Sequence, residues 1–455
     1  YCHFGGSQLE QLKEQIIGAA LLDEYGYAVL AHLCDGIGPR MAGTPAEAET
    51  KEYLLKEFRG LGYEPVVEEF TYPLWESQGG GVTITAPWQR ELTSAVLGWS
   101  GKGDVEAEIV YVGYGKEEEF TAVDVRGKIA LLLNGDPPGE PELHRSEKYR
   151  RAMHHGAVGF LLMRDVPYGI IGIGSCGMEG EITTVPSIAI SYEDGMLIRR
   201  FLEKGPVRAR VWADSSTRTE TSWNIRALLP GTVEPEKRVI VGAHYDCWYN
   251  SPCAADDGSG VAVMLGLARL LKKLGPCRRS IEFVAFGVEE IGLFGAYAYA
   301  EQHAATLDDA VAIFNLDGIA VDGVAQEIFC TGYPELQKYI QSLLAANWPE
   351  ITVTLEVNLY SDHWPLAERG VPGMHTIAWD SFVQTINHTP YDTLDKVSQV
   401  TLQRSLAWLA VLVTSMASEA NLPFRNLTQA ELIKIAAQHG VDKVLKIEKR
   451  YHWSK

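Results

Sequence analysis

No uninterrupted apolar run of this chain approaches the about 20 residues that span a bilayer, so no membrane span is expected. Cysteine is scarce: there are seven in 455 residues, an odd number at irregular spacing. That excludes a disulfide framework and a cysteine-based zinc module. Free thiols fit a reducing compartment; Cys247 and Cys253 lie close enough in sequence to leave their pairing open. Basic residues are in deficit, 40 against 59 acidic ones, for a formal charge of −19. Phosphate backbones are gripped by basic faces, so nucleic acid is excluded as a partner, and the charge fits a soluble acidic surface. The chain has no internal repeat and no low-complexity tract. It starts at Tyr1 with no recognisable signal peptide. A removed signal would leave the same sequence, so the compartment stays open, an extracytoplasmic one included.

What is present is an ordinary globular composition, 46% hydrophobic and 22% charged, in a chain long enough for more than one domain. Residues 8–34 read as helical, with Leu9, Leu12, Ile16, Ala20 and Leu21 at helical spacing. The turn-rich segment Gly38-Pro39-Arg40-Met41-Ala42-Gly43-Thr44 leads into Thr44-Pro45, an N-cap followed by a proline in the first helical turn. From 79 to 218 the character changes to strand-like segments (Ala107–Val112, Lys128–Leu133, Val185–Ile190) around one clear helix near Glu147–His155. This reads as a smaller α+β domain, 79–218, inserted into a discontinuous domain of 1–78 and 219–455. Residues 421–455 read as a C-terminal helical extension.

From Trp223 onward strands alternate with helices: Arg238–Ala243, Ser259–Leu274, Ile281–Gly287, Gly292–His303, Val311–Leu316, Gly373–Trp379 and Leu402–Ala417. The pattern predicts a mostly parallel, doubly wound α/β sheet covered on both faces. Polar residues of one chemical kind follow its strands. His244 follows Val239-Ile240-Val241, Glu289 and Glu290 follow Phe283-Val284-Ala285-Phe286, and Asp317 follows Ile313-Phe314-Asn315-Leu316. In open α/β sheets ligands gather beyond the carboxyl ends of strands, so these residues are expected to converge. Asp256 in Ala254-Ala255-Asp256-Asp257-Gly258-Ser259-Gly260 and His388 in Asn387-His388-Thr389-Pro390 complete the set. Imidazoles with carboxylates suit a borderline metal such as zinc, and a spare carboxylate beside them suits a general base. Asn387-His388-Thr389 also matches a glycosylation sequon; a glycan there would collide with the metal site, so the match is read as chance.

His-x-Asp at 244–246, Asp-Asp at 256–257 before Ser259-Gly260, Glu289-Glu290, Asn315-Leu316-Asp317 and His388-Thr389-Pro390 stand in the order of the M28 zinc metallopeptidases of the co-catalytic aminopeptidase type. Together with the Gly38–Thr44 segment, the chain resembles that family over about residues 20–420. The resemblance implies two zinc ions, with cobalt or manganese able to occupy similar sites. Asp256 would bridge both metals, His244 and Asp317 would complete one, and Glu290 and His388 the other. Glu289 would be the general base acting on a metal-bridging water. The family often has a cis peptide after the bridging residue, here Asp256–Asp257. Asp246 would accept the second ring N–H of His244, and Asp392 would act similarly near His388. Tyr360, in Tyr360-Ser361-Asp362-His363, is a candidate for stabilising the oxyanion, while Asp362 and His363 are read as structural. Trp248 and Trp379 are candidates for lining the cleft. Cys253 stands where the family usually has glycine, which removes no ligand.

The 79–218 insert resembles a protease-associated (PA) domain in Val125-Arg126-Gly127-Lys128-Ile129-Ala130-Leu131, in the helix ending at His155-Gly156-Ala157 and in Val185-Pro186-Ser187-Ile188. In related enzymes it affects substrate access; a spacer is the plainer role. The resemblance implies a metallo-exopeptidase acting on short peptides, an aminopeptidase first of all. A carboxypeptidase or dipeptidase on the same scaffold, a single-zinc glutaminyl-cyclase-like enzyme and a catalytically silent receptor-like binding protein are the alternatives. Oligomeric state is open, a homodimer included.

Overall fold

The computed structural model describes residues 6–139, 143–177, 182 and 184–453, so Cys2 lies outside it. Contacts divide the chain into two compact units. One holds the chain up to Phe70, Thr221–Glu289 and Leu293–Val441; the other holds Thr71–Glu220, Glu290–Gly292 and the chain from Asp442 on. Both crossings near 70 and 220 fall inside long strands, Val66–Ala86 and Arg208–Leu229, rather than in loops. A sequence search for turn residues therefore has no signal at those points. The sequence reading keeps 421–455 together; by contacts, its part from Asp442 groups with the second unit.

Along its main path the sheet of the first unit holds β1 (Arg208–Leu229, through its C-terminal end), β2 (Glu234–His244), β3 (Arg279–Phe286), β4 (Ala310–Leu316), β5 (Gln326–Cys330), β6 (Thr352–Thr354) and β7 (Gly373–Ala378). Their order is β6-β5-β7-β4-β2-β3-β1. The centre is parallel, β7 with β4, β4 with β2 and β2 with β3, and so is the edge pair β5–β6. β1 and β5 join antiparallel. The sheet is thus mixed, with a parallel core.

Alternate residues of the central strands enter different cores, the period-two signature of a sheet covered on both faces. Val239, Val241, Phe283, Phe314 and Leu316 pack with the helices Ser259–Leu274 and Gln399–Ser418. Ile240, Val284, Phe286 and Ile313 pack with Tyr299 and Ala300 of the helix Phe294–Gln302. Each such side chain contributes about 1.5–3 kcal/mol by leaving water. The helix Gln399–Ser418 is long and apolar enough to cross a membrane, but 78% of its apolar window is buried inside the protein, where it serves as a core helix. Thr44 caps the helix Pro45–Gly60, accepting from the Glu47 N–H at 3.4 Å, with Pro45 in the first turn. The segment 8–34 breaks in two, Gly6–Leu21 and Tyr25–Ala31, where Asp23 accepts the Tyr25 N–H at 2.7 Å. The sequence reading has no element for the β5–β6 edge or for the helix Pro334–Leu344 between them.

In the second unit, strands Gly103–Gly113, Ile129–Leu133, Gly159–Met163 and Ser187–Ile190 pair in parallel, with Ser94–Val96 antiparallel at the edge. The helices Arg145–His154 and Tyr192–Leu202 connect and flank them. Glu448 and Arg450 are each 1% exposed and pair at 3.1 Å, and Glu448 also accepts from Ser146.

One buried ionic cluster braces the first unit. Glu282, on β3, meets Arg226 Nη1 at 2.9 Å, Arg238 Nε at 3.0 Å and the Tyr299 hydroxyl at 3.0 Å, with 1% of its side chain exposed. Removing one partner of such a cluster strands buried charge, which costs about 3–5 kcal/mol. Glu282→Ala should lower the unfolding free energy by that amount in denaturant titrations.

Candidate metal centre

The register of the parallel core sets the level at which the chain leaves the sheet. His244 at the end of β2 pairs with Phe286 at the end of β3, and Asn315 near the end of β4 pairs with Gly242. Three adjacent strands therefore deliver His244, the Glu289-Glu290 turn and Asp317 beyond one edge of the sheet, the crevice that open α/β sheets use for ligands. Asp256 arrives on the turn before the helix Ser259–Leu274, and His388 follows the helix Ser381–Ile386.

Two donor groups form there. One atom each from His244, Asp256 and Asp317 lie within 4.8 Å of one another, and so do one each from Asp256, Glu290 and His388. Asp256 belongs to both. Its Oδ1 lies 3.1 Å from His244 Nε2, and its Oδ2 lies 3.1 Å from His388 Nε2. Two imidazoles and three carboxylates match a borderline divalent metal such as zinc.

Charge accumulates in this space. Burial works against the His244 imidazolium, yet the carboxylates of Glu289, Asp246 and Asp256 outweigh it and raise its pKa well above the ordinary histidine value. Burial likewise opposes the Asp256 carboxylate, but the hydrogen bonds to His244 and His388 hold its pKa below the usual range. Burial pushes Asp257 well up and Asp392 up to about 7.

Neighbouring groups fix how the donors point. The peptide Asp256–Asp257 is cis. The Asp392 carboxylate accepts the N–H groups of Ala255 (2.7 Å) and Asp256 (3.1 Å), so it grips the backbone at Asp256 rather than the His388 ring. The Asp257 carboxylate accepts from the N–H groups of His244 (3.2 Å) and Gly260 (3.0 Å). His244 Nδ1 lies 3.1 Å from the Asp246 carbonyl oxygen and 3.7 Å from its carboxylate, while that carboxylate accepts the Glu289 N–H at 2.9 Å. Asp246 thereby links two site segments. The Tyr360 N–H donates to Asn358 Oδ1 at 2.7 Å. Trp248 is fully buried with its ring 6.0 Å from that of His388, whereas Trp379 is 49% exposed. Cys247 and Cys253 are both free thiols.

Four contributors escape the sequence reading. The Ser361 hydroxyl donates to Asp317 Oδ2 at 2.5 Å and accepts from Asn315 Nδ2 at 2.6 Å. Asn387 Nδ2 donates to Asp256 Oδ2 at 2.7 Å. Arg40, fully buried, donates to the carbonyls of Tyr245 (2.9 Å) and Pro252 (3.0 Å) and so ties both ends of the loop between His244 and Asp256. Each lies in a motif that draws attention to another residue, which is the only signal the sequence offers for it.

Such a donor set at the strand ends of a parallel-cored α/β sheet fits a metallohydrolase. Sequence comparison makes the class specific: the model of peptidase family M28 matches residues 224–413, and that of the PA domain matches 105–198. Residues 224–413 are thus similar to the peptidases of family M28, and residues 105–198, which precede them in the chain, to PA domains. It is 28% identical over 412 residues to aminopeptidase YwaD of Bacillus subtilis (strain 168), covering 87% of this chain and 84% of that protein. It is 26% identical over 322 residues to carboxypeptidase Q of Mus musculus, covering 68% of each. Among solved structures, BSAP, a zinc aminopeptidase from Bacillus subtilis, matches with a TM-score of 0.68 at 25% identity, over 89% of this chain and 98% of that one.

Gly260 offers a test of this packing. A methyl group there would overlap the Leu316 carbonyl oxygen and the Asp257 carboxylate, behind Asp317 and Asp256. Gly260→Ala should cost about 1–3 kcal/mol in thermal or denaturant unfolding, the usual penalty for overpacking, and should speed metal loss to a chelator.

Proposed function

We propose that this protein is a zinc exopeptidase with two ions per chain, releasing residues from the amino ends of short peptides. The observation that carries this reading is the pair of donor groups sharing Asp256. His244 and Asp317 would hold one ion, Glu290 and His388 the other, and Asp256 both. The two carboxylates of each donor group repel one another, and divalent cations remove that cost. Zinc, when bound, supplies positive charge that lowers the pKa of water and polarises the scissile carbonyl.

The chain's own groups supply the rest. Glu289 belongs to neither donor group, and its N–H is held by Asp246. A carboxylate left out of the ligand set can take a proton from the attacking water and return it to the leaving amine. The Ser361 hydroxyl on Asp317 and the Asn387 amide on Asp256 hold those carboxylates in orientation, which is how partners behind a metal ligand tune it. The likeness to YwaD and BSAP supports the amino-end preference. The likeness to carboxypeptidase Q supports a second reading, cleavage from the carboxyl end.

Glu289→Gln should retain zinc by elemental analysis and lose about 10²–10⁴-fold in turnover, the span of general-base contributions. Wild-type turnover in that variant removes Glu289 from the base role. Asp256→Ala should lose both ions, and a full complement would end its bridging assignment. Parallel assays on free-amino and amino-blocked peptides decide between the two readings: cleavage of the blocked peptide selects the carboxyl end.

A further inference from the structure

The turn carrying Glu289 and Glu290 is closed at its base by backbone bonds, Phe294 N–H to Val288 O and Gly295 N–H to Gly287 O, each at 3.0 Å. Its tip, Glu290–Gly292, groups by contacts with the second unit. Glu290 is 6% exposed and Ile291 is fully buried. Buried carbonyls at such a tip need donors, because no water reaches them. Two side chains of the same unit meet them. Trp99 Nε1–H donates to the Ile291 carbonyl at 2.8 Å, and the Ser175 hydroxyl donates to the Glu290 carbonyl at 3.0 Å.

These two donors are themselves fastened together. Gly98 N–H donates to Gly174 O and Cys176 N–H donates to Gly98 O, each at 2.9 Å, flanking the bridge between Gly98 and Ser175. Trp99 is fully buried and has a left-handed backbone, φ 63°. Ser175 is 2% exposed. The pair therefore forms one clasp on two consecutive peptides, the first of which carries the Glu290 carboxylate.

We infer that Trp99 and Ser175 are positioning residues for the metal centre, holding the Glu290 peptide so that its carboxylate meets Asp256 and His388. The inference rests on the reading of Glu290 as a ligand. It gives Trp99 and Ser175 a task at the Glu290 peptide: the hold on one ion depends on their hydrogen bonds. Trp99 acts through Glu290 and touches no reacting atom.

The test uses full-length zinc-loaded protein and a chromogenic zinc chelator. In Trp99→Phe and Ser175→Ala, one ion per chain should pass to the chelator about 10–100-fold more readily, the usual effect of losing a group behind a metal ligand, while the other is held as in the parent. Turnover should fall with KM little changed. General damage to the fold would loosen both ions together, and that result overturns the inference, as does parental release of both. If Trp99→Phe fails to fold, Ser175→Ala, which deletes one oxygen atom, carries the test alone. Glu290→Ala separates the two levels of argument. Loss of one ion there, with parental release in the clasp variants, overturns the clasp and leaves the ligand reading standing. Retention of both ions in Glu290→Ala overturns the ligand reading and the clasp with it.

Discussion

Like charges brought close in a space of low dielectric repel one another strongly. Asp256 and Asp317 meet in one donor group, and Asp256 and Glu290 in the other. Nothing in those carboxylates favours the gathering, so the surrounding structure has to impose it. Asp392 grips the backbone at Ala255 and Asp256, while Ser361 holds Asp317 and Asn387 steadies the second Asp256 oxygen. Divalent cations bound there would offset that repulsion.

That imposition works because the platform is stiff. The Val239-Ile240-Val241 run of β2 is fully buried, with its residues divided between the two cores. A strand packed on both faces cannot slip by one residue without moving every side chain to the wrong core. The ends of β2, β3 and β4 are therefore held level. Arg40 extends the same rigidity into the loop between His244 and Asp256, with its guanidinium fully buried among backbone carbonyls. Glu282 anchors β3 from the other side.

Relatives named as aminopeptidase and as carboxypeptidase both match this chain over two thirds of its length or more. A metal core that activates water and polarises a carbonyl does not by itself tell one end of a peptide from the other. Discrimination of that kind comes from groups around the reacting atoms, which gain or lose partners as the substrate changes. A metal-binding donor set would supply the chemistry, and the walls about it the choice.

Much of this was legible in the chain as written. Apolar runs of the right length betrayed the central strands, because burial on both faces demands continuous hydrophobicity. The residues that gather in the two donor groups stood out because imidazoles and carboxylates at strand ends are the side chains a borderline metal would require. Other features left no such mark. The antiparallel joining of β1 and β5 depends on which edges meet, and the edge strand β6 is only three residues long. The passage of two long strands from one unit to the other has no turn residue to announce it. Asp392 illustrates the same limit within the site: its sequence position suggested His388, but folding set its carboxylate on the peptides of Ala255 and Asp256, more than 130 residues away. The sequence by itself determined which residues could bind metal and which segments had to be buried, since both follow from side-chain chemistry. Only the tertiary structure decided which groups hold those residues in place, because hydrogen bonds between distant segments depend on where the sheet register sets each loop.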